Sequence, residues 1–482
     1  MSVNNQFQIP HNYQGYKGLP VLSGITSMDN AIAKGLTTDE SVERLKYFHW
    51  SLNRLHKIFM ARLTSEPIYE LKMAFSLHSH ICIEHIGSIF NRVREMRHPP
   101  YGLDKSPHMA LDMLFDEILA APNTEHLLLG IYDVVIPKLL EAVKKQLDDI
   151  NVLFEHPTFR VLRFLAIELE DIHSYGQKVV SNFITEINKN EASDFISLLN
   201  NCLFACGGID GLVEKTEELP TKMYSIRPFE YDSTPQRDER FTDPYNMSVN
   251  AEAFLGNKYK DDLPKILMMY FKRMREIDVP EMMASIIFET KGKPYEYYKD
   301  MTRQLWDEAR HAMMGEVGFV SLGIDWTQIP FNFTFSLELN KMLNPLERHS
   351  ILFYIEQGLM PTKTGKKMEW DIAINSGDPV SKLVQDYDWA DEVLHAKIGR
   401  DWFVKEYGNQ PDALKFGVDN WNKVLSGNWG SYDNVGLTKN TNWWPKIYAQ
   451  ACKHWGIEPD EEVLSYNIDY RNITPETYTQ KI

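Results

Sequence analysis

The sequence predicts an all-α protein with a four-helix bundle in its C-terminal half and a second helical domain before it. Three observations carry this. From about residue 41, apolar residues recur at three- and four-residue spacing, the period of an amphipathic helix. Alternating apolar and polar runs, the mark of a half-buried strand, are few throughout. Two segments, Asp307-Glu308-Ala309-Arg310-His311 and Asp391-Glu392-Val393-Leu394-His395, share the pattern Asp-Glu-x-x-His. In a helix the Glu and His of such a motif lie on one face, a turn apart.

Taken in order, residues 1–40 read as an irregular lead-in punctuated by Pro10, Gly15, Gly18, Pro20 and Gly24. Residues 41–213 read as a helical N-terminal domain, with helices over 41–63, 66–97, 107–120, 125–152, 157–188 and 192–206. Thr38 or Asp39 is placed to cap the first, Pro67 suits a first turn, and Gly207-Gly208 closes the last. Residues 214–262, with Pro220, Pro228, Pro235 and Pro244 and little periodicity, read as a linker. Helical pattern returns at 263–277, 280–291, 295–320, 345–358 and 380–407, giving a bundle domain over 263–406. The segment 407–482 holds Trp421, Trp429, Trp443, Trp444 and Trp455 and is expected to pack on that bundle.

Composition narrows the function classes. A chain of 482 residues with 43% hydrophobic and 24% charged residues is that of an ordinary globular protein of two or three domains. A formal net charge of −16 argues against a nucleic-acid or anionic membrane surface, because both are met by Lys and Arg. No uncharged stretch approaches the ~20 residues of a membrane span, and the N-terminus has no basic region followed by an apolar run. A cytoplasmic location follows as the expectation. Cys82, Cys202, Cys206 and Cys452 lack zinc-knuckle spacing and read as buried thiols. The abundant aromatics suit large cores or an apolar substrate cavity.

The two motifs carry the chemistry. One Glu-x-x-His recurs by chance; two, each matched by a carboxylate on a preceding helix, make a dinuclear metal site. Antiparallel helices bring residues level when they are equidistant from the connecting turn. The turn Lys291-Gly292-Lys293-Pro294 puts Glu281 level with Glu308, with Glu289 too near the turn. In the second pair Glu356 matches Glu392 across a longer connection, about 360–378. The expected ligands are therefore Glu281, Glu308, His311, Glu356, Glu392 and His395. Glu281 and Glu356 are terminal, Glu308 and Glu392 bridge two ions and are the candidate catalytic groups, and each ion takes one imidazole. Carboxylates with two imidazoles suit iron or manganese better than structural zinc. Asp307 and Asp391 are placed to hydrogen-bond the histidines. His349 and Asp388 lie near the same face and read as supporting or packing groups ahead of extra ligands, Arg310 as an internal ion pair ahead of a substrate contact, and Tyr354 as a core tyrosine ahead of a redox or proton donor.

With these residues in view, Asp307–His311, Glu356-Gln357-Gly358-Leu359 and Asp391–Phe403 resemble a family of bacterial ferritin-like proteins. The ligand plan is similar to those of di-iron oxygenases, ribonucleotide reductase small subunits and arylamine N-oxygenases. The resemblance covers roughly 278–404. It implies a ferritin-like four-helix bundle that activates dioxygen, as co-substrate, at two iron ions or a manganese–iron pair. The implied outcome is hydroxylation, desaturation, N-oxygenation or halogenation of a small or fatty-acyl-like substrate. No flavin or nicotinamide fingerprint appears, so a separate electron donor is expected, and a homodimer is the default assembly. The rival readings are iron storage or oxidation without an organic product, and a scaffold whose metals only stabilise it.

The N-terminal half reads as a degenerate ferritin-like bundle. Glu170-Asp171-Ile172-His173 is another Glu-x-x-His, and Glu84 with His78, His80 and His85 lies on an earlier helix. No second clear motif completes a set, so this half is expected to be metal-free.

Overall fold

The computed structural model describes residues 13–96, 102–216, 218–258, 260–361, 365–427 and 429–471. Among these the secondary structure is helical and no strand occurs. The helices fall where apolar periodicity placed them: Thr38–Leu63, Tyr69–Met96, Met109–Leu119, His156–Phe183, Ser193–Ala205, Asp262–Arg275, Asp278–Glu289, Tyr295–Ser321, Pro345–Gly358 and Pro379–Gly399. The run expected over 125–152 is helical as Thr124–Leu128, a π-helical Leu129–Val135 and Ile136–Asp149. Pro10 of the lead-in and residues 472–482 of the C-terminal extension lie outside the described residues.

Local chemistry accounts for the boundaries. The first long helix is capped one residue earlier than expected: Thr37 Oγ1 accepts from Glu40 N, and Thr37 N donates to Glu40 Oε2 at 2.7 Å. Asn344 and Glu347 make the same reciprocal pair before Pro345–Gly358. Pro157, Pro345 and Pro379 occupy first turns, where a missing N–H costs nothing. Gly377, at φ 76°, ends one helix in the left-handed region just before Asp378 caps the next.

The chain divides into two compact units. One comprises Met1–Ile58 and Ile81–Glu230, the other Phe59–His80 and Tyr231–Ile482. In the first, Gln146 Nε2 donates to Ser41 Oγ at 3.0 Å, and Ser41 Oγ donates to Glu155. Arg44 pairs with Asp149 at 2.6 Å. Ser41, Glu155 and Asp149 are thus partnered by side chains of the same unit.

In the second unit, Tyr295–Ser321 packs along Asp262–Arg275, Asp278–Glu289 and Pro379–Gly399, while Pro345–Gly358 packs on Asp278–Glu289 and Pro379–Gly399. The approach of Tyr295–Ser321 to Asp262–Arg275 needs Gly315. A Cβ there would lie 2.3 Å from Met274 N and 2.6 Å from Tyr270 O, both backbone atoms that cannot swing aside. His311 sits one turn before Gly315, so this close contact carries it towards the end of the neighbouring helix. The Trp-rich segment joins the same core. Trp443 lies 4.7 Å from Phe271, Trp444 stacks on Tyr448, and Trp444 Nε1 donates to Val463 O at 2.7 Å.

Helices lie where none was expected, among them Thr334–Met342, Lys366–Ser376, Gln410–Leu425 and Trp444–Trp455. Of these, Lys366–Ser376 occupies most of the stretch read as a connection over 360–378; residues 362–364 lie outside the described residues. Lys366–Ser376 packs on both Asp262–Arg275 and Pro379–Gly399. Within the stretch read as a linker, Ala251–Leu255 is helical, and residues from Tyr231 onward belong to the second unit.

Candidate metal centre

Two clusters of ligand-type atoms lie in the second unit. Glu308, Glu356, Glu392 and His395 form one, and Glu276, His311 and Asp388 the other; in each, the ligand atoms lie within 4.8 Å of one another. All are buried except Glu276, which is half-buried. No third such cluster occurs among the described residues. In the N-terminal half Glu170 instead pairs with Lys144 at 2.7 Å, and His85 contacts Glu168.

Both motifs turn inward as helical spacing requires. His395 Nδ1 lies 3.1 Å from Glu308 Oε1, 3.6 Å from Glu392 Oε2 and 3.9 Å from Glu356 Oε1. His311 Nδ1 lies 3.4 Å from Glu276 Oε2, 3.6 Å from Glu308 Oε2 and 3.7 Å from Asp388 Oδ1. Glu308 therefore straddles the two clusters, one carboxylate oxygen facing each. The two imidazole rings are 5.8 Å apart, centre to centre.

The aspartates of the motifs act crosswise. Asp391 Oδ2 lies 3.3 Å from His311 Nε2, while Asp307 Oδ2 lies 3.5 Å from His395 Nε2. Each histidine thus faces the aspartate of the other motif. Arg303 Nε donates to both oxygens of Asp307 at 3.0 and 2.9 Å. Arg310 donates to Asp307 and, at 2.9 Å, to Asp391, the internal ion pair its position implied. Each outer ring nitrogen faces a carboxylate, and the inner Nδ1 atoms are turned to the centre.

The structure does not bring Glu281 to these clusters. Its carboxylate is fully buried against Lys72 Nζ at 2.7 Å and Arg237, and it accepts from Ser336 Oγ at 3.0 Å. Glu276 stands where Glu281 was expected. The reason is rotation: being level with Glu308 fixes a residue's height along a helix but not which way it points. The chain also bends between Asp262–Arg275 and Asp278–Glu289, with Glu276 as the C-cap of the first helix. Glu276 carried a faint signal, an Arg273 three residues before it, which pairs with it at 2.8 Å. Asp388, weighed as a supporting group, faces His311 directly. His349 packs between Tyr297 and Phe403, and burial pushes it down to about 3. Tyr354 is buried.

Electrostatics reflect crowding of like charges. Burial raises Glu356, and Glu392 and Glu308 raise it further, holding it well above the carboxylate range. Burial would raise Glu308 too, but His311 and His395 bring it down to about 2. Burial would lower His311, yet Asp391, Glu276 and Glu308 carry it up to about 10; His395 is also held well above its usual range, by Asp307, Glu308 and Glu392.

These residues fit a pair of metal ions. Glu276 Oε2, His311 Nδ1, Glu356 Oε2, Glu392 Oε2 and His395 Nδ1 are buried with no hydrogen-bond partner. Leaving that many polar atoms dry and unsatisfied is costly unless something else binds them, and all five belong to residues of the two clusters. A prediction follows from the charge states. His311 is pushed up to about 10, and His395 and Glu356 are held above their usual ranges by the same crowding, so an entering ion competes with protons for these groups. Loading should then release protons and weaken as pH falls. Calorimetry in buffers of different ionisation enthalpy measures this; ion uptake with no proton release would contradict it.

Compared with known families, curated proteins and solved structures, the chain finds no match.

Proposed function

We propose that the second unit is a ferritin-like four-helix bundle holding two redox-active metal ions, and that the protein is a dioxygen-dependent oxidoreductase. The observation that carries this reading is Glu308, whose two carboxylate oxygens face the two ligand clusters separately. A group so placed suits two ions a few ångströms apart rather than one. In this reading the first bundle helix is the broken pair Asp262–Arg275 and Asp278–Glu289. The ligands are Glu276, Glu308, His311, Glu356, Glu392 and His395, with Asp388 beside them. Carboxylate and imidazole donors favour iron, or manganese with iron, over structural zinc. Such ions, when bound, supply the reduction of dioxygen and the oxidation of an organic substrate.

The chain's own residues do the rest. Glu308 and Glu392 would hold the ions, with Glu308 turned to both clusters. Asp307 and Asp391, anchored by Arg303 and Arg310, orient the imidazoles. Gln304 Nε2 donates to Glu356 Oε1 at 3.0 Å and fixes the rotamer of that carboxylate. The apolar helices around the centre, with Met301, Leu305, Ala309 and Ala312 fully buried on Tyr295–Ser321, keep water from it. The substrate of this reading is a small or fatty-acyl-like molecule, with reducing equivalents from a separate donor.

The test is anaerobic loading with ferrous iron followed by exposure to dioxygen, with oxygen uptake and iron content followed together. The expected result is uptake in proportion to bound iron, sustained by a chemical reductant and changed in rate by apolar substrates. Iron accumulating far beyond two ions per chain would point to storage. Bound iron that takes up no oxygen would leave the metals a structural role and overturn the oxidoreductase reading.

A further inference from the structure

The two ligand clusters are not equivalent, and the difference lies in a lysine. Lys366 is 1% exposed, and its Nζ lies 2.9 Å from Asp388 Oδ1, 3.0 Å from Asp388 Oδ2 and 2.9 Å from Glu392 Oε1. It begins the helix Lys366–Ser376, where the positive end of the helix dipole disfavours a cation. Its position is therefore maintained by the carboxylates it meets. The backbone holds it there: Lys366 N donates to Leu359 O at 3.1 Å, and a Cβ on Gly365 would lie 2.0 Å from that same oxygen.

Built-in positive charge is concentrated on one cluster. Asp388 is held by both Lys366 and Arg273, and Arg273 Nη2 lies 2.8 Å from Glu276 Oε1. Two of the three donors around His311 thus already have a cation. In the other cluster, Glu308 and Glu356 have no Lys or Arg partner among the described ion pairs, and Glu392 keeps Oε2 turned to His395 while only Oε1 meets Lys366.

We propose that Lys366 is a resident cation of the centre that makes its two ion positions load in order. The first ion enters the cluster of Glu308, Glu356, Glu392 and His395. The second, at Glu276, His311 and Asp388, binds only as the Lys366 ammonium gives up Asp388 and Glu392 Oε1. The inference rests on the two-ion reading of the same centre, and it names what regulates occupancy there. Removing a unit positive charge within hydrogen-bond distance of the ligands raises affinity for an added cation.

The probe is Mn(II), titrated into metal-free protein and followed by calorimetry and electron paramagnetic resonance, which distinguishes isolated from exchange-coupled ions. Wild type is expected to take one ion tightly and a second at least about tenfold more weakly, giving isolated-ion signals first. In Lys366→Met the second ion should tighten by about tenfold or more, so that coupled pairs form from the start. Lys366→Arg, which keeps the charge, should retain ordered loading. If circular dichroism shows Lys366→Met unfolded, Lys366→Gln replaces it. A wild type that binds one ion while the uncharged variant binds two also supports the proposal. Equal affinities in wild type, or an unchanged gap or a single ion in both, overturns it and leaves the metal-binding reading standing. Wild type that takes up no Mn(II) overturns that reading itself.

Discussion

Glu308→Ala is expected to empty both ion positions at once. Glu308 alone contributes an oxygen to each cluster, 3.1 Å from His395 Nδ1 and 3.6 Å from His311 Nδ1. Of the two histidines, Glu356 and Glu392 approach His395, and Glu276 and Asp388 approach His311. Loss of an outer hydrogen-bond partner alone costs a metal site about 10- to 100-fold in affinity, so loss of a shared ligand should cost at least about 100-fold. Elemental analysis of protein produced with iron and manganese should show about two ions per chain falling to near none. Oxygen uptake should disappear with them. The melting temperature supplies a control independent of activity. Metal should raise it in wild type by mass action, a stabilisation of about 2.7 kcal/mol per ion at a hundredfold excess over Kd, and leave it unmoved in the variant. Retained metal and normal oxygen uptake in a folded Glu308→Ala protein would remove the basis for the dinuclear assignment.

Glu281→Ala and Glu276→Ala should separate stability from metal binding. Glu281 sits in a sealed ionic cluster with Lys72 and Arg237, and Arg237 also lies 3.5 Å from Asp278. Burial presses the Lys72 ammonium down in pKa, and Glu281 opposes this. Taking away the carboxylate leaves two buried cations with less compensation, an effect of about 3–5 kcal/mol in comparable pairs. Denaturant unfolding of Glu281→Ala should show a loss of this size, while the folded fraction keeps its full metal content. Glu276→Ala should do the reverse. Its site is half-buried, Arg273 retains Asp388 as a partner, and the second ion should be lost with little change in stability. If Glu281→Ala lost metal at unchanged stability, Glu281 would be the ligand that its level with Glu308 implied.

Much of this architecture is legible in the chain alone. Apolar periodicity located the long helices because burial of one face is the main cause of their stability, and that cause is written locally. The two Asp-Glu-x-x-His motifs brought Glu308, His311, Glu392 and His395 inward together because a spacing of three residues fixes a shared face whatever the helix packs against. Glu356 followed from the same reasoning across the second helical pair.

What remained for tertiary structure shares one property: it depends on how an element is rotated about its axis or on which distant segment meets it. Glu276 and Glu281 are both acidic and close in sequence. Only packing through Gly315 and the bend at the end of Asp262–Arg275 decides that the first meets His311 and the second meets Lys72. The crosswise pairing of Asp307 with His395 and Asp391 with His311 requires two helices to lie side by side in one register. Lys366 carried no signal at all. Its helix lay within a stretch that read as a connection, and a lysine becomes an internal cation only where folding closes Asp388 and Glu392 around it. The sequence by itself thus determined the helices and the inward-facing motif residues, since both rest on local spacing. The tertiary structure decided the remaining ligands, their charge partners and the inequality of the two clusters, since these rest on contacts between residues far apart in the chain.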